Sequence, residues 1–265
     1  MKLILLTGAG GGVGQAIRPM LREKYRLRVS DLKDIAPGPG EDFVGADLAD
    51  LEAVRRAIRG VDGIVHLGGY SVESDFATIL SANIVGTYNL FEAARLEGVR
   101  RVVFASSNHV VGFYPRSDTI PVDVTVRPDS RYGVSKAFGE AVASLYADKY
   151  GAEAFTIRVG HIAPKPETAR DLAIWLSPRD FCQLIEIGLE LPGLHHEIVY
   201  GMSDNQRRWW DASNAARLGY RPQDRSEDYA AEVLARDRPS GDDRVDLTQG
   251  SVFCTAEKMT PVGTI

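Results

Sequence analysis

Cysteine is scarce in this chain. Two residues in 265, Cys182 and Cys254, stand far apart and match no CxxC spacing, so neither a disulfide framework nor a thiolate metal site is expected. Two reduced thiols in a cytoplasmic protein is the expectation that follows. The five histidines have no partners at a metal-ligand spacing. Long apolar runs are also missing. The opening "MKLILLTGAGGGVG" offers four apolar residues before its glycines, too few for a signal sequence, and no stretch approaches the roughly 18 residues of a membrane span. Basic excess is absent as well: the net charge is −5, which leaves no electrostatic footprint for DNA or RNA. No nucleic-acid or membrane partner is expected. Internal repeats and low-complexity tracts are lacking, although the tail from about Arg236 is polar and weakly patterned.

What remains is a strong rhythm. Residues 3–7, "LILLT", form a continuous apolar run of the kind buried on both faces of a parallel sheet. A glycine turn follows, then a helical pattern with Val13, Ile17 and Leu21 on one face, then a strand in "RLRVSDL" that ends on an acid. The alternation continues with helix "LEAVRRAIRG", strand "VDGIVHLGG", helix 78–98, strand "VRRVVFASS", helix 131–150 and strand "EAFTIRVG". Such alternation implies an α/β doubly wound parallel sheet. After Gly160 the rhythm degrades, with one clear helix in "RDFCQLIEIGLEL" and a strand in "EIVYG" expected to return toward the sheet. The chain is read as a nucleotide-binding domain over 1–160 and a small, less regular substrate-side lobe over 161–265, packed on the first and partly interleaved with it.

The first turn, "TGAGGGVG", carries Gly8, Gly11 and Gly14 between a strand and a helix. Gly8 permits the tight turn, Gly11 lets the backbone approach a pyrophosphate, and Gly14 allows close packing of helix on strand. The helix start offers free N–H donors to the phosphates, and Gly12 and Val13 lie in the same turn. Asp31, 17 residues beyond Gly14 at the end of the second strand, can accept from both ribose hydroxyls of NAD and would repel the 2′-phosphate of NADP. Lys33 offsets part of that repulsion; NAD is the expected cofactor. Asp47, in "ADLAD", either accepts from the adenine amino group or caps the next helix.

Tyr132 and Lys136 stand four apart in "SRYGVSKAFGE", so they share one helical face about a turn apart. A nearby ammonium favours phenolate and lowers a tyrosine pKa, which would make the pair a general base. By itself the spacing is weak evidence. Together with TGxxGxxG, "DL" at 47–48, "HLGG" at 66–69, "NIVGTYNLFEAA" at 83–94, "FASSNHVVG" at 104–112 and "RLGYRP" at 217–222, in that order, the chain resembles the extended short-chain dehydrogenase/reductase family over nearly its whole length. The resemblance implies a Rossmann fold, NAD, and a homo-oligomer. It also assigns roles. Tyr132 is the base, Lys136 lowers its pKa and binds the nicotinamide ribose, and Ser107, 25 residues before Tyr132, is the catalytic serine. Asn83 supports the lysine, and with Leu48, Leu67, Gly68 and Gly69 it lines the cofactor.

Within the family, "HLGGYSVE", "FASSNHVVGFYP", "RPDSRYGVSKAFGE", "WLSPRDF" and "RRWWDAS" are similar to members that oxidise the anomeric carbon of hexuronic acids to aldarolactones. That likeness places Ser71, Ser107, Asn108 and His109 against the sugar, with Arg170 holding its C6 carboxylate. For His109 a loop hydrogen bond is an equal alternative, and for Arg170 a solvated surface charge is. His161 and Ile162 depart from the small polar residues expected after "RVG"; His161 is assigned to the cofactor and Ile162 to the sugar. Trp209 and Trp210 read as lobe core or a subunit contact, His66 as structural, and His195 and His196 as solvent-facing. A nucleotide-sugar epimerase or dehydratase shares the fold, NAD and YxxxK. However, Asn108 and His109 occupy the places of the dehydratases' Asp-Glu pair, and the C-terminal lobe is short for a sugar nucleotide. A non-catalytic NAD-sensing regulator would ordinarily have lost the tyrosine or the lysine.

Overall fold

The computed structural model describes residues 1–260. Seven strands form one parallel sheet in the order β3-β2-β1-β4-β5-β6-β9, comprising β1 (Leu3–Thr7), β2 (Arg26–Ser30), β3 (Glu41–Phe43), β4 (Gly63–His66), β5 (Arg101–Ser107), β6 (Glu153–Val159) and β9 (His196–Gly201). A separate two-stranded pair joins β7 (His161–Ile162) to β8 (Trp175–Leu176). Alternation along each strand divides the core into two layers. Ile4, Leu6, Val65 and Val103 face α1 (Gly12–Leu21), whereas Leu5, Ile64, Val102 and Phe104 face α2 (Leu51–Ile58). This explains why the central strands read as unbroken apolar runs: both faces are covered.

The helix expected over 78–98 is not uniform. It starts as α3 (Phe76–Ile79), widens into a π-helical turn at Leu80–Val85, and continues as α4 (Gly86–Leu96). The widened turn contains Asn83, whose side-chain amide is tied off the helix axis, as described below. π-turns of this kind are often found at functional sites. Next comes α5 (Arg131–Tyr150), capped at its start by Ser130, whose Oγ accepts from Gly133 N, and ended by Gly151 in the left-handed conformation at φ 70°. Buried Glu140 on α5 pairs with Arg158 of β6 through two bonds of 2.9 Å and accepts from Ser106 Oγ at 2.7 Å. The helix is thereby pinned to the sheet.

Beyond Gly160 the chain returns to the sheet twice. Following the short α6 (Asp171–Ile174), α7 (Pro178–Glu190) packs beside α1 on the first core layer, with Phe181, Leu184 and Ile185 buried, and β9 completes the sheet edge next to β6. Trp210 is fully buried, stacked on Tyr200 at 5.0 Å, so it is core as expected. His195 is exposed, whereas His196 lies half-buried at the start of β9, a correction to its solvent-facing reading. Three short helices follow, α8 (Ser213–Arg217), α9 (Ala230–Arg236) and α10 (Asp243–Leu247). From there residues 247–259 run back over the C-terminal ends of the strands. They are anchored by Gly250 N donating to Gly112 O (2.8 Å) and Met259 N donating to Glu73 O (2.9 Å). No helix among the described residues is long and apolar enough to cross a membrane.

Candidate active site

The strand order reverses between β1 and β4, and open α/β sheets bind ligands in the crevice outside the strand ends at such a point. The glycine turn lies there. Gly8 has φ 67°, and a Cβ on it would stand 2.9 Å from Gly68 N; a Cβ on Gly14 would meet the Ala9 backbone at 2.8 Å. Gly11 is the N-cap of α1 and provides no side-chain cap bond, so the first N–H groups of the helix stay free for an anion. Asp31 accepts from Gly10 N (2.9 Å) and Lys33 N (3.3 Å), which fixes its carboxylate beside the turn. A carboxylate has lone pairs to spare for ribose hydroxyls after those two bonds. These residues fit a dinucleotide.

Asp47 is exposed, and its Oδ1 accepts from Ala49 N. The cap of α2 is Asp50, which accepts from Glu52 and Ala53 N–H, so capping is not the role of Asp47. Leu48 packs against Gly68 and Gly86, where a Cβ would come within 2.9 Å of it. Asn83 is buried. Its Oδ1 accepts from Tyr70 N (2.7 Å), and its Nδ2 donates to Tyr70 O and Ser135 Oγ, each at 2.9 Å. It therefore acts on the loop at Gly69 and on α5, and it makes no bond to Lys136. Lys136 Nζ instead donates to Ala105 O at 2.8 Å and lies over the Phe104 ring.

Ser107, Tyr132 and Lys136 come together at the end of β5, all buried. Lys136 Nζ is 5.7 Å from the Tyr132 ring centroid. The expected lowering of the tyrosine pKa is reversed in the protein alone. Burial pushes the phenol up to about 12, with Ser107 pulling it down and the Asp129 charge adding to the rise. Burial also pulls Lys136 down to about 8. An enclosed site penalises both ions, and that exceeds the attraction of one charge at this distance. His66 is buried behind them with Nδ1 on Thr7 Oγ1 at 2.8 Å; burial and then the Lys136 charge push it down to about 3, so it is neutral and structural.

Asn108 and His109 follow Ser107 in a 3-10 turn, where Ser107 Oγ accepts from His109 N at 3.2 Å. With its amide turned to satisfy both neighbours, Asn108 accepts from Arg170 Nη2 (3.1 Å) and donates to Val159 O (3.2 Å). Arg170 also donates Nε and Nη2 to Gln249 O. Burial pulls its guanidinium down to about 10, and no carboxylate among the described residues lies within ion-pairing distance of it. The adjacent Asp171 is engaged elsewhere. Burial works against its charge, but His161 Nδ1 at 2.8 Å and the backbone of Glu167 and Thr168 hold it down at about 2. His161 itself is exposed after β6. Ser71 is exposed on the loop after β4, whereas the Ile162 side chain is buried in the core, leaving only its backbone to a ligand.

Residues 4–221 match the NAD dependent epimerase/dehydratase family. The chain belongs to that family. The chain is 48% identical over 256 residues to uronate dehydrogenase of Pseudomonas putida, covering 96% of both proteins. Among solved structures it is similar to a mutant of uronate dehydrogenase from Agrobacterium tumefaciens complexed with NAD, at 44% identity and TM-score 0.93 over 97% of this chain and 98% of that one. It is equally close to glucuronic acid dehydrogenase from Chromohalobacter salexigens, at 47% identity and TM-score 0.93 over 96% and 97%. The matched family segment ends at Arg221, so residues 247–259, which lie against the site, fall outside it.

Four residues at the site carry no local sequence signal. Buried Glu73 accepts from Tyr132 N (3.0 Å) and pairs with Arg131 (2.6 Å). Gln249, fully buried, accepts from Trp210 Nε1 and donates to Pro115 O. Phe253 stacks on His109 with ring centroids 3.7 Å apart, and Asp129 bonds the same histidine.

Proposed function

We propose that this chain is an NAD-dependent uronate dehydrogenase, oxidising the C1 hemiacetal of D-glucuronate or D-galacturonate to the aldarolactone. Arg170 is the observation that carries the reading. A half-buried guanidinium that bonds only to the oxygens of Asn108 and Gln249, with no carboxylate within ion-pairing distance among the described residues, leaves its charge to be matched by a ligand, and a planar fork suits a carboxylate. Its neighbour Asn108 directly follows Ser107, so a sugar acid held by Arg170 reaches toward the Ser107–Tyr132 pair with its other end.

Tyr132 takes the proton of the C1 hydroxyl, and Ser107 donates a hydrogen bond to the same oxygen. NAD, when bound, supplies the acceptor for the C1 hydride and a nicotinamide positive charge that favours phenolate at Tyr132. Lys136, anchored on Ala105 O, binds the nicotinamide ribose and adds its charge near the phenol. Gly8, Gly11, Gly12, Val13 and Gly14 would cradle the pyrophosphate, Asp31 would accept from the adenosine ribose, and Asp47 with Leu48 would meet the adenine. Leu67, Gly68, Gly69 and His161 would line the cofactor. Ser71, Asn108 and His109 take sugar hydroxyls, and the Ile162 backbone lies beside them.

Two free cysteines support a reducing, cytoplasmic setting. Exposed Tyr88, Leu145 and Tyr150 on α4 and α5 support a contact between copies of the chain. Replacing Arg170 tests the reading. Arg170→Ala is expected to raise KM for the uronate about 30-fold, the scale of a charge-assisted hydrogen bond worth about 2 kcal/mol, while leaving KM for a neutral aldose unchanged. Equal effects on both would remove Arg170 from carboxylate binding.

A further inference from the structure

The sequence gives no role to Asp129, yet the structure builds around it. Its side chain is completely enclosed. Oδ2 lies 2.7 Å from His109 Nδ1, and Oδ1 accepts from Ser130 Oγ, also at 2.7 Å. The carboxylate fits only because its neighbours lack side chains. A Cβ on Gly112 or on Gly250 would overlap Oδ2, and one on Gly133 would come within 3.2 Å of Oδ1. Those three glycines come from the turn after Ser107, from α5 and from the C-terminal segment, so three separate parts of the chain leave room for one carboxylate.

A carboxylate accepts only, so the bond to His109 requires the ring proton on Nδ1. In the neutral ring Nε2 is then an acceptor. It has no partner among the described residues, and it is not sealed from solvent. Ring rotation is blocked by Phe253, stacked on one face, while Tyr132 lies edge-on with centroids 5.8 Å apart. The expectation that His109 donates to a sugar hydroxyl is thereby inverted for the neutral ring.

We propose that Asp129 is a positioning residue that fixes the Nδ1–H tautomer of His109, so that Nε2 accepts a hydrogen bond from a sugar hydroxyl beside the reacting carbon. The assignment rests on the reading of this site as a sugar site. Because the bond is made in ground state and transition state alike, its loss belongs in KM.

The first test needs no variant. In ¹⁵N-histidine-labelled enzyme with NAD bound, the His109 ring, assigned by the signal missing from His109→Gln, is expected to carry its proton on Nδ1. A proton on Nε2, alone or together with one on Nδ1, would overturn the proposal. The second test is kinetic. Asp129→Leu, which keeps the shape but removes the acceptor, is expected to raise KM for the uronate about tenfold, the scale of one unmade buried hydrogen bond, with no loss of kcat and the NAD dissociation constant little changed. Combined with His109→Ala, it is expected to add nothing to the His109→Ala effect. Additive effects, or an equal loss of kcat, would assign Asp129 a structural role instead. If the unaltered protein oxidises no uronate, the sugar-site reading fails; if it does and the tautomer or the cycle disagrees, only the role of Asp129 fails.

Discussion

Lys136 illustrates the tension between folding and chemistry at a single residue. Its ammonium is buried, and its pKa falls from 10.5 to about 8. A lowered lysine pKa means that the native state binds its proton less readily than the unfolded chain. Below about pH 8 the buried charge is therefore a cost; the cost shrinks as pH rises from 8 and is gone above the unfolded value. Lys136→Met is expected to raise stability at neutral pH by about 1–3 kcal/mol, less whatever the lost bond to Ala105 O contributes, while abolishing turnover. Thermal denaturation beside an activity assay checks both; an unstable variant would show that the lysine is a net structural asset. Which residues were legible follows a simple rule. Gly8, Gly14, Asp31, Tyr132 and Lys136 could be found because their meaning lies in short spacings. Asp129 and Gln249 could not, because their partners are 20 and 79 residues away.

At the scale of elements, α5 carries both Tyr132 and Lys136, and its position on the sheet sets the geometry of the pair. The Glu140–Arg158 ion pair that pins it is buried, with 7% and 3% of the side chains exposed. Removing one member leaves the other charge without compensation. Glu140→Ala is expected to destabilise the protein by about 3–5 kcal/mol, measured by denaturant unfolding. A change under 1 kcal/mol would mean that water reaches Arg158 and that the pin is weak. The helix across 78–98 was visible in the sequence as an apolar pattern, but its π-turn was not. One extra residue in the turn comes from Asn83 bonding to Tyr70 and Ser135, a tertiary contact that periodicity does not encode.

For the whole molecule, the alternating α/β order gave the parallel sheet, because each strand buried on both faces must be nearly all apolar. Less of the region after Gly160 could be read. There the chain contributes α7 and β9 to the first core, then short elements whose order depends on contacts such as Trp210 on Tyr200 rather than on periodicity. The C-terminal run is the clearest case. A polar, weakly patterned sequence holds the Arg170 guanidinium through Gln249 O and places Phe253 on His109, because its partners are other parts of the site.

The central claim is that Arg170, half-buried and with no carboxylate within ion-pairing distance among the described residues, selects a free uronic acid. The most direct measurement is NADH formation by the purified chain with glucuronate, galacturonate, glucose and UDP-glucose in parallel, each with NAD and with NADP. The account predicts rapid reduction of NAD by the two uronates and little by the neutral or nucleotide sugars. Equal rates with glucose, or turnover confined to UDP-glucose, would contradict it.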